Sequence, residues 1–155
     1  MAMKVGTPLP SFEGEVEWLR NVRPDLSEGA RLVFVHFWAM SCPACKANMP
    51  DVQSLRDQHL DIRCIAIHAP RSPEDTDVEK VRQMADEIGI TEPCAIDNRH
   101  VLSDRFDLSG LWPYYFLFDA EGKMKRRGAG GMSLNILKVV LAELGSVHSR
   151  TTGEG

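Results

Sequence analysis

Three short apolar segments stand out in the pattern of hydrophobic and polar positions along the chain. They cover residues 31–38, 62–68 and 114–118, are rich in β-branched and aromatic residues, and are each bounded by turn or polar residues. Nearly continuous apolar runs of this length are typical of strands buried on both faces of a mostly parallel sheet. The pattern therefore predicts three central strands, and residues 94–96 predict a shorter fourth strand.

Helical periodicity fills the intervals between these strands. Apolar residues recur every third position within 43–59, where Pro43 occupies a tolerated first-turn position. Pro50 lies inside this segment and has no amide proton, so we expect it to kink the helix. A second helix is predicted over 74–88, because an apolar stripe there ends at Gly89.

The remaining segments complete an α/β chain. A short helix is predicted near 100–106, the polar loop 119–123 predicts a hairpin of antiparallel strands, and apolar spacing predicts a last helix over 133–145. This order of elements predicts a three-layer sandwich with a mixed central sheet and helices on both faces. We expect a single domain over 1–147 and a flexible tail over 148–155.

Composition and charge narrow the classes of partner. A chain of 155 residues is long enough for one domain with its own core, and its net charge of -4 argues against affinity that depends on neutralising phosphates. We therefore expect no nucleic-acid partner. A basic cluster is interpreted as a solvated strand edge; its members are Lys123, Lys125, Arg126 and Arg127.

The same features bear on localisation. The longest apolar stretches have the length of strands, so no membrane span is predicted. Residues 1–8 lack the apolar core of a secretory signal, which favours a cytoplasmic protein; an exported protein whose leader is absent from this chain is the alternative.

Cys42 and Cys45 lie where the first predicted strand turns into a helix. The amino end of a helix has unpaired amide protons and the positive end of the helix dipole, both of which favour a thiolate. Cysteines in such positions have pKa values lowered from about 8.5 to roughly 3.5–7.5. Cys42, the expected N-cap, is therefore the candidate nucleophile, and Cys45, one turn further in and more shielded from solvent, is the candidate resolving cysteine.

Half of a zinc site is the alternative interpretation of this pair. Zinc needs two further ligands, and no second Cys-x-x-Cys or Cys/His pair at metal spacing is present in the sequence. The position of Cys42 and Cys45 after a buried strand favours redox chemistry, with no metal or other cofactor.

A resemblance to the active-site segment of the thioredoxin superfamily covers Val35-His36-Phe37-Trp38-Ala39-Met40-Ser41-Cys42-Pro43-Ala44-Cys45-Lys46. Residues 110–122 resemble the cis-proline strand and hairpin of that family. The interval between Cys45 and Pro113 leaves room for an inserted strand and helix, as in the TlpA/ResA-like branch, and residues 5–12 resemble the N-terminal segment of that branch.

This resemblance implies a thiol-disulfide oxidoreductase that acts on protein or small-molecule disulfides and dithiols together with a redox partner. It implies that the peptide bond before Pro113 is cis and faces the Cys42–Cys45 pair. Supporting residues of the site are those in the matching segments: His36, Trp38, Pro43, Trp112 and Pro113. We expect the protein to be a monomer.

Two positions depart from the resembled family. Ser41 stands where an aromatic residue commonly precedes the first cysteine, which makes the rim of the site less apolar. His36 stands at a position that is often a buried carboxylate. Its imidazole is suited to accept the proton of Cys45 during resolution, or it is a core histidine bonded to backbone; the sequence leaves both interpretations open.

The remaining cysteines and histidines have no metal-ligand spacing. Cys64 and Cys94 are interpreted as small buried apolar residues, with a regulatory second disulfide as the alternative. The other histidines are interpreted as surface or loop residues: His59, His68, His100 and His148.

Two rival functions stay open from the sequence. One rival is a peroxiredoxin-like thiol peroxidase. The pattern of that family has threonine three residues before the reactive cysteine, where this chain has Ala39. A copper-binding module of the same fold is the other rival, although related copper carriers have three residues between their cysteines. The direction of electron flow is not encoded in these motifs, because it depends on how strongly the folded site stabilises the thiolate.

Overall fold

The computed structural model describes residues 3–14, 16–26, 32–59, 61–131, 133–135 and 138. Within these ranges the strands form one mixed six-stranded sheet in the order β1-β4-β3-β2-β5-β6. The strands are β1 (Glu17–Trp18), β2 (Leu32–Trp38), β3 (Ile62–His68), β4 (Cys94–Ile96), β5 (Tyr114–Phe118) and β6 (Met124–Ala129).

The apolar strands predicted from the sequence occupy the centre of this sheet. β2, β3 and β4 are mutually parallel, while β5 runs antiparallel to β2 and β6 antiparallel to β5. β1 pairs antiparallel with β4 and was not predicted, because a two-residue strand is too short to show an alternating pattern. The basic residues 125–127 are exposed on β6, the edge strand, as expected.

Within the described part of the chain, three α-helices connect the strands: α1 (Pro43–Gln58), α2 (Val78–Glu87) and α3 (Val101–Arg105). The helix predicted over 74–88 is divided, because its first turn is a separate 3-10 helix, Pro73–Thr76. Asp77 lies between the two with an extended backbone, and its side chain accepts a hydrogen bond from the amide of Lys80 at 3.2 Å. This N-cap starts α2 at Val78.

Two apolar clusters cover the two faces of the sheet, so helices lie on both faces as predicted. Buried side chains of α1 and α2 pack on one face, together with both cysteines of the Cys-x-x-Cys pair. Leu102 of α3 and Phe106 pack on the other face, together with the N-terminal segment through Met3. The loop between β2 and α1 therefore lies at the edge of a well-packed core.

The last predicted helix lies largely outside the described residues, and the tail predicted over 148–155 lies wholly outside them. Leu134, Asn135 and Lys138 are helical, in agreement with the prediction over 133–145. Among the described residues, no helix has the length and apolar character needed to cross a membrane.

Candidate active site

Cys42 and Cys45 form a disulfide at the amino end of α1, with Cα atoms 5.3 Å apart. Cys42 is the N-cap: its backbone is extended, and its Sγ accepts a hydrogen bond from the Cys45 amide at 3.1 Å. Pro43 occupies the first turn, where its missing amide proton leaves no bond unmade. The predicted location of the pair at a strand-to-helix junction is confirmed.

Both cysteines are buried in the disulfide form, with 2% of each residue exposed. The expected difference in shielding between Cys42 and Cys45 is therefore not seen in the disulfide form, in which both residues belong to one apolar cluster. Trp38, which ends β2, packs in the same apolar cluster with 1% of its surface exposed.

The segment that carries Pro113 lies at the same end of the sheet. Phe37, next to the end of β2, pairs with Tyr114, so Pro113 is placed level with the start of the Cys42 loop. The Trp112–Pro113 peptide bond is cis, and Pro113 is buried. Trp112 is partly buried, contacts both apolar clusters and packs edge-on against the Tyr114 ring.

Residues 130 and 131 close the gap between Pro113 and α1. The Gly130 amide donates to the Pro113 carbonyl at 2.8 Å, and the side-chain amide of Asn48 donates to the Gly131 carbonyl at 2.7 Å. A Cβ atom on Gly131 would lie 3.2 Å from the Cβ of Ala44, between the two cysteines. Sequence reasoning missed Asn48 and Gly131, whose importance comes from contacts between segments far apart in the chain.

Ser41 is tied to the turn that precedes α2. Its hydroxyl donates to Oδ2 of Asp75 at 2.6 Å, and the backbone amide of Arg71 donates to the same oxygen at 2.9 Å. The guanidinium of Arg71 in turn donates to the Ser41 carbonyl at 2.9 Å. Burial alone raises the pKa of Asp75, but the hydrogen bonds from Ser41 and Arg71, with His68 nearby, hold it below its usual value. The serine thus has a structural partner that the sequence did not reveal.

His68 is fully buried in β3, so its interpretation as a surface or loop residue is wrong. Its Nε2 accepts a hydrogen bond from the Met40 amide at 3.1 Å, and its ring packs edge-on against Trp38. Burial lowers the pKa of His68 to about 4, against a smaller opposing effect of Asp75. A neutral His68 therefore supports the loop two residues before Cys42.

His36 has neither of the partners expected from the sequence. It is 1% exposed, and its Nε2 lies 2.6 Å from Oε2 of Glu92, which immediately precedes Pro93 and β4. Arg56 donates to the other oxygen of Glu92 at 2.8 Å. Burial raises the pKa of Glu92, but the interaction with His36 and the hydrogen bond from Arg56 outweigh burial and lower this pKa to about 2. His36 is thus a core histidine bonded to a carboxylate rather than to backbone.

Cys64 and Cys94 are both buried and free of any disulfide, as their interpretation as small core residues predicts. Burial raises the pKa of Cys94 to about 12 and also raises that of Cys64 well above its usual value. Neither thiol is therefore suited to serve as a nucleophile in this fold.

Comparison with known proteins places this arrangement in a family. Residues 5–127 match the model of the AhpC/TSA family. The chain belongs to the AhpC/TSA family. It is 36% identical over 138 residues to the thiol-disulfide oxidoreductase YkuV of Bacillus subtilis. This alignment covers 88% of this chain and 93% of YkuV. This similarity confirms the thioredoxin-like assignment made from the sequence.

Two further comparisons agree with this AhpC/TSA assignment. The thiol-disulfide oxidoreductase ResA of Halalkalibacterium halodurans is 30% identical over 127 residues, which span 81% of this chain and 65% of ResA. A solution structure of a thioredoxin-like protein in the oxidized form aligns with a TM-score of 0.80 at 35% identity, covering 91% of this chain and 96% of that one. The thioredoxin-like fold and the similarity to ResA-like oxidoreductases are thus both shown.

Proposed function

We propose that this AhpC/TSA-family chain exchanges disulfides with protein substrates, with Cys42 as the nucleophile and Cys45 as the resolving cysteine. The observation that carries the proposal is the disulfide in which Cys42 caps α1. The free amides and dipole of the helix end stabilise a thiolate at the N-cap, whereas Cys45 lies inside the first turn.

In the reducing direction, the Cys42 thiolate attacks one sulfur of a substrate disulfide, and the other substrate sulfur leaves as a thiolate. Cys45 then loses its proton and attacks Sγ of Cys42, which releases the second substrate thiolate. The substrate gains two electrons, and the protein is left with the Cys42–Cys45 disulfide. The oxidising direction is the reverse of these steps.

Three neighbouring groups support this chemistry in the proposal. Arg71 brings a positive charge to the residue before Cys42, which favours the thiolate. Trp112 packs against the apolar cluster that contains both cysteines, and Pro113 lies at the end of the sheet where β2 leads into the Cys42 loop. In the proposal, a substrate strand approaches along Trp112 and Pro113.

His36 is assigned a supporting role rather than that of the proton acceptor. Its Nε2 is engaged with Glu92, and the pair lies in the core rather than at the rim of the site. His36→Ala is accordingly expected to reduce stability while leaving the rate of mixed-disulfide resolution near neutral pH unchanged. Slower resolution with an unchanged initial attack would instead identify His36 as the acceptor for Cys45.

The cysteine roles are tested by trapping. With Cys45→Ser, Cys42 can attack a substrate disulfide but nothing expels the substrate, so a mixed disulfide that dithiothreitol dissolves should accumulate. With Cys42→Ser, neither trapping nor reduction of insulin disulfides should survive. Cys94→Ala removes a buried thiol elsewhere in the fold and should retain activity. Trapping by Cys42→Ser in place of Cys45→Ser would reverse the assignment.

The same proteins separate the rival functions. Rapid consumption of hydrogen peroxide with little disulfide exchange would favour a thiol peroxidase, and copper bound to the reduced Cys42–Cys45 pair would favour a copper-binding module. A reduction potential measured against glutathione decides the direction of electron flow. Cytoplasmic location and a monomeric state stay predictions, the second of which is checked by sedimentation.

A further inference from the structure

A second group of potential ligands lies on the sheet face that α1 covers. His36 of β2, Cys64 of β3 and Glu92 before β4 offer one donor atom each, and these three atoms lie within 4.8 Å of one another. Oε2 of Glu92 is 2.6 Å from Nε2 of His36 and 3.4 Å from Sγ of Cys64. The donors come from three adjacent parallel segments, so the sheet itself holds them together.

This donor set has the chemistry of a zinc site. An imidazole nitrogen, a thiolate and a carboxylate are the three ligand types that Zn²⁺ takes in proteins, with bonds of about 2.0–2.3 Å. In a tetrahedral site such bonds separate sulfur and oxygen by about 3.5 Å and nitrogen and oxygen by about 3.3 Å. The first separation is already present, and the second requires His36 and Glu92 to move apart by less than ~1 Å.

A cavity of about 190 Å³ borders two of the three donors, Cys64 and Glu92. Its lining includes Cys64 and Glu92, together with Arg56, Asp25 and Pro93. Three protein ligands leave one position of a tetrahedral ion open, and the cavity has room for a water molecule there. The cavity thus reaches two of the three donors, Cys64 and Glu92, and offers space for a fourth ligand.

The charges around the group also balance when an ion is bound. Ionised Glu92 and a Cys64 thiolate neutralise Zn²⁺, and the thiol proton passes to solvent. The proton between Nε2 of His36 and Glu92 leaves as well, to solvent from a cationic ring or to Nδ1 in a neutral ring, so that Nε2 presents its lone pair to the ion. The nearby guanidinium of Arg56 already has a second carboxylate, Asp57, whose Oδ1 is 2.9 Å from its Nε. Arg56 can therefore keep its bond to the outer oxygen of Glu92 and orient that ligand.

We propose that His36, Cys64 and Glu92 bind a zinc ion at a site separate from the Cys42–Cys45 pair. Binding joins β2, β3 and the segment before β4, so the bound ion stabilises the centre of the sheet. The site does not depend on the proposed disulfide exchange. Metal bound here remains bound when Cys42 and Cys45 form a disulfide, which distinguishes this site from one made by the reduced pair.

Cobalt spectroscopy of the oxidised full-length protein tests the proposal. With Cys42 and Cys45 in a disulfide, the remaining thiols are Cys64 and Cys94. After removal of metal with a chelator, added Co²⁺ should give one equivalent of a thiolate charge-transfer band with tetrahedral visible bands, and Zn²⁺ should abolish both. Zn²⁺ should also raise the melting temperature of this oxidised protein.

Matched variants locate the ligands. Cys64→Ala and Glu92→Gln should each weaken the affinity for Zn²⁺ by more than about tenfold, because each removes a direct ligand. Cys94→Ala is the control and should leave this affinity unchanged. In zinc-loaded unmutated oxidised protein, X-ray absorption should show one sulfur ligand at about 2.3 Å, with the remaining nitrogen and oxygen ligands at about 2.0–2.2 Å. That measurement keeps the test independent of whether the variants fold.

Two results would overturn the assignment. One is the absence of a cobalt–thiolate band in oxidised protein at millimolar Co²⁺, which would leave the group as a hydrogen-bonded core cluster. The other is metal bound without Cys64, seen as a band that persists in Cys64→Ala or as zinc-loaded unmutated protein with no sulfur ligand, which would place the metal elsewhere.

Discussion

The hydroxyl of Ser41, the residue before Cys42, donates a 2.6 Å hydrogen bond to the carboxylate of Asp75. Asp75 is only 2% exposed and lies in the 3-10 turn that precedes α2, so this bond ties the loop of the cysteine pair to the segment that connects β3 to α2. The Arg71 amide shares the same carboxylate oxygen. The position of Cys42 therefore depends on residues about thirty positions further along the chain.

Replacing Asp75 tests this dependence. Asp75→Ala leaves the Ser41 hydroxyl and the Arg71 amide without their acceptor, which should lower the free energy of unfolding by about 1–3 kcal/mol. Urea denaturation measures the change. Glu74→Ala, at the exposed neighbouring position, is the matched control and should change stability by less than about 0.5 kcal/mol. Equal effects of the two variants would mean that the Ser41–Asp75 bond contributes nothing.

Acid should weaken the protein through His68. The pKa of His68 is about 4 in the folded state and near 6.5 when the residue is exposed by unfolding, so the unfolded state binds the proton first as pH falls. The contribution of neutral His68 to the free energy of unfolding is fully present above pH ~6.5. It is lost progressively as the pH falls to about 4, by an amount on the order of 3 kcal/mol. Protonation of Nε2 also breaks the hydrogen bond that the Met40 amide donates to it, because two N–H donors then face each other.

The variant His68→Gln isolates this effect. Its side-chain oxygen is expected to accept from the Met40 amide, but it does not titrate. Thermal unfolding measured between pH 7 and 4.5 should therefore show a shallower loss of stability in His68→Gln than in the unmodified protein, since the carboxylates titrate in both. Parallel pH profiles would show that His68 does not carry the acid sensitivity.

The charge of Arg71 should set the reactivity of Cys42. Its guanidinium bonds to the Ser41 carbonyl, and removing this exposed cation should raise the pKa of the reduced Cys42 thiol. In Arg71→Met we expect alkylation of reduced protein near neutral pH to slow by a factor of about two to five, as the screened effect of one surface charge allows.

The control for Arg71 removes the same charge far from the site. Lys123 lies in the hairpin between β5 and β6, at the end of the sheet opposite the cysteine pair, because β5 runs antiparallel to β2. Lys123→Met should leave the alkylation rate unchanged. High salt should reduce the difference between Arg71→Met and the unmodified protein; if salt has no effect, the influence of Arg71 is not electrostatic.

Asn48 should matter for both stability and activity. Its side-chain amide donates to the Tyr115 hydroxyl at 3.0 Å and to the Gly131 carbonyl at 2.7 Å, which holds the 130–131 segment against α1. Asn48→Ala should lower the free energy of unfolding by about 1–2 kcal/mol and slow insulin reduction. Tyr115→Phe removes only one of the two bonds and should have the smaller effect on activity; a larger effect would shift the importance from the loop to the tyrosine.

Local sequence determined the central elements of this protein. The strands β2, β3 and β5 were predicted because each is buried on both faces and is therefore apolar at nearly every position. The Cys42–Cys45 site was predicted for a similar reason: an N-cap and its first helical turn are neighbours in sequence, so their chemistry depends on residues that are read together. Cys64 and Cys94 were correctly read as core residues from their flanking apolar positions.

Tertiary structure alone decided which distant residues meet at these elements. The sequence gives no sign that Asp75 holds Ser41, that Glu92 faces His36, or that Gly131 closes against Ala44. His68 was misread because a histidine at the end of an apolar run looks the same in sequence whether it enters solvent or the core. It is buried because β2 and β4 flank β3 on both sides and the Trp38 ring packs against it, and burial of that kind is a property of long-range packing, which no local pattern of residues records.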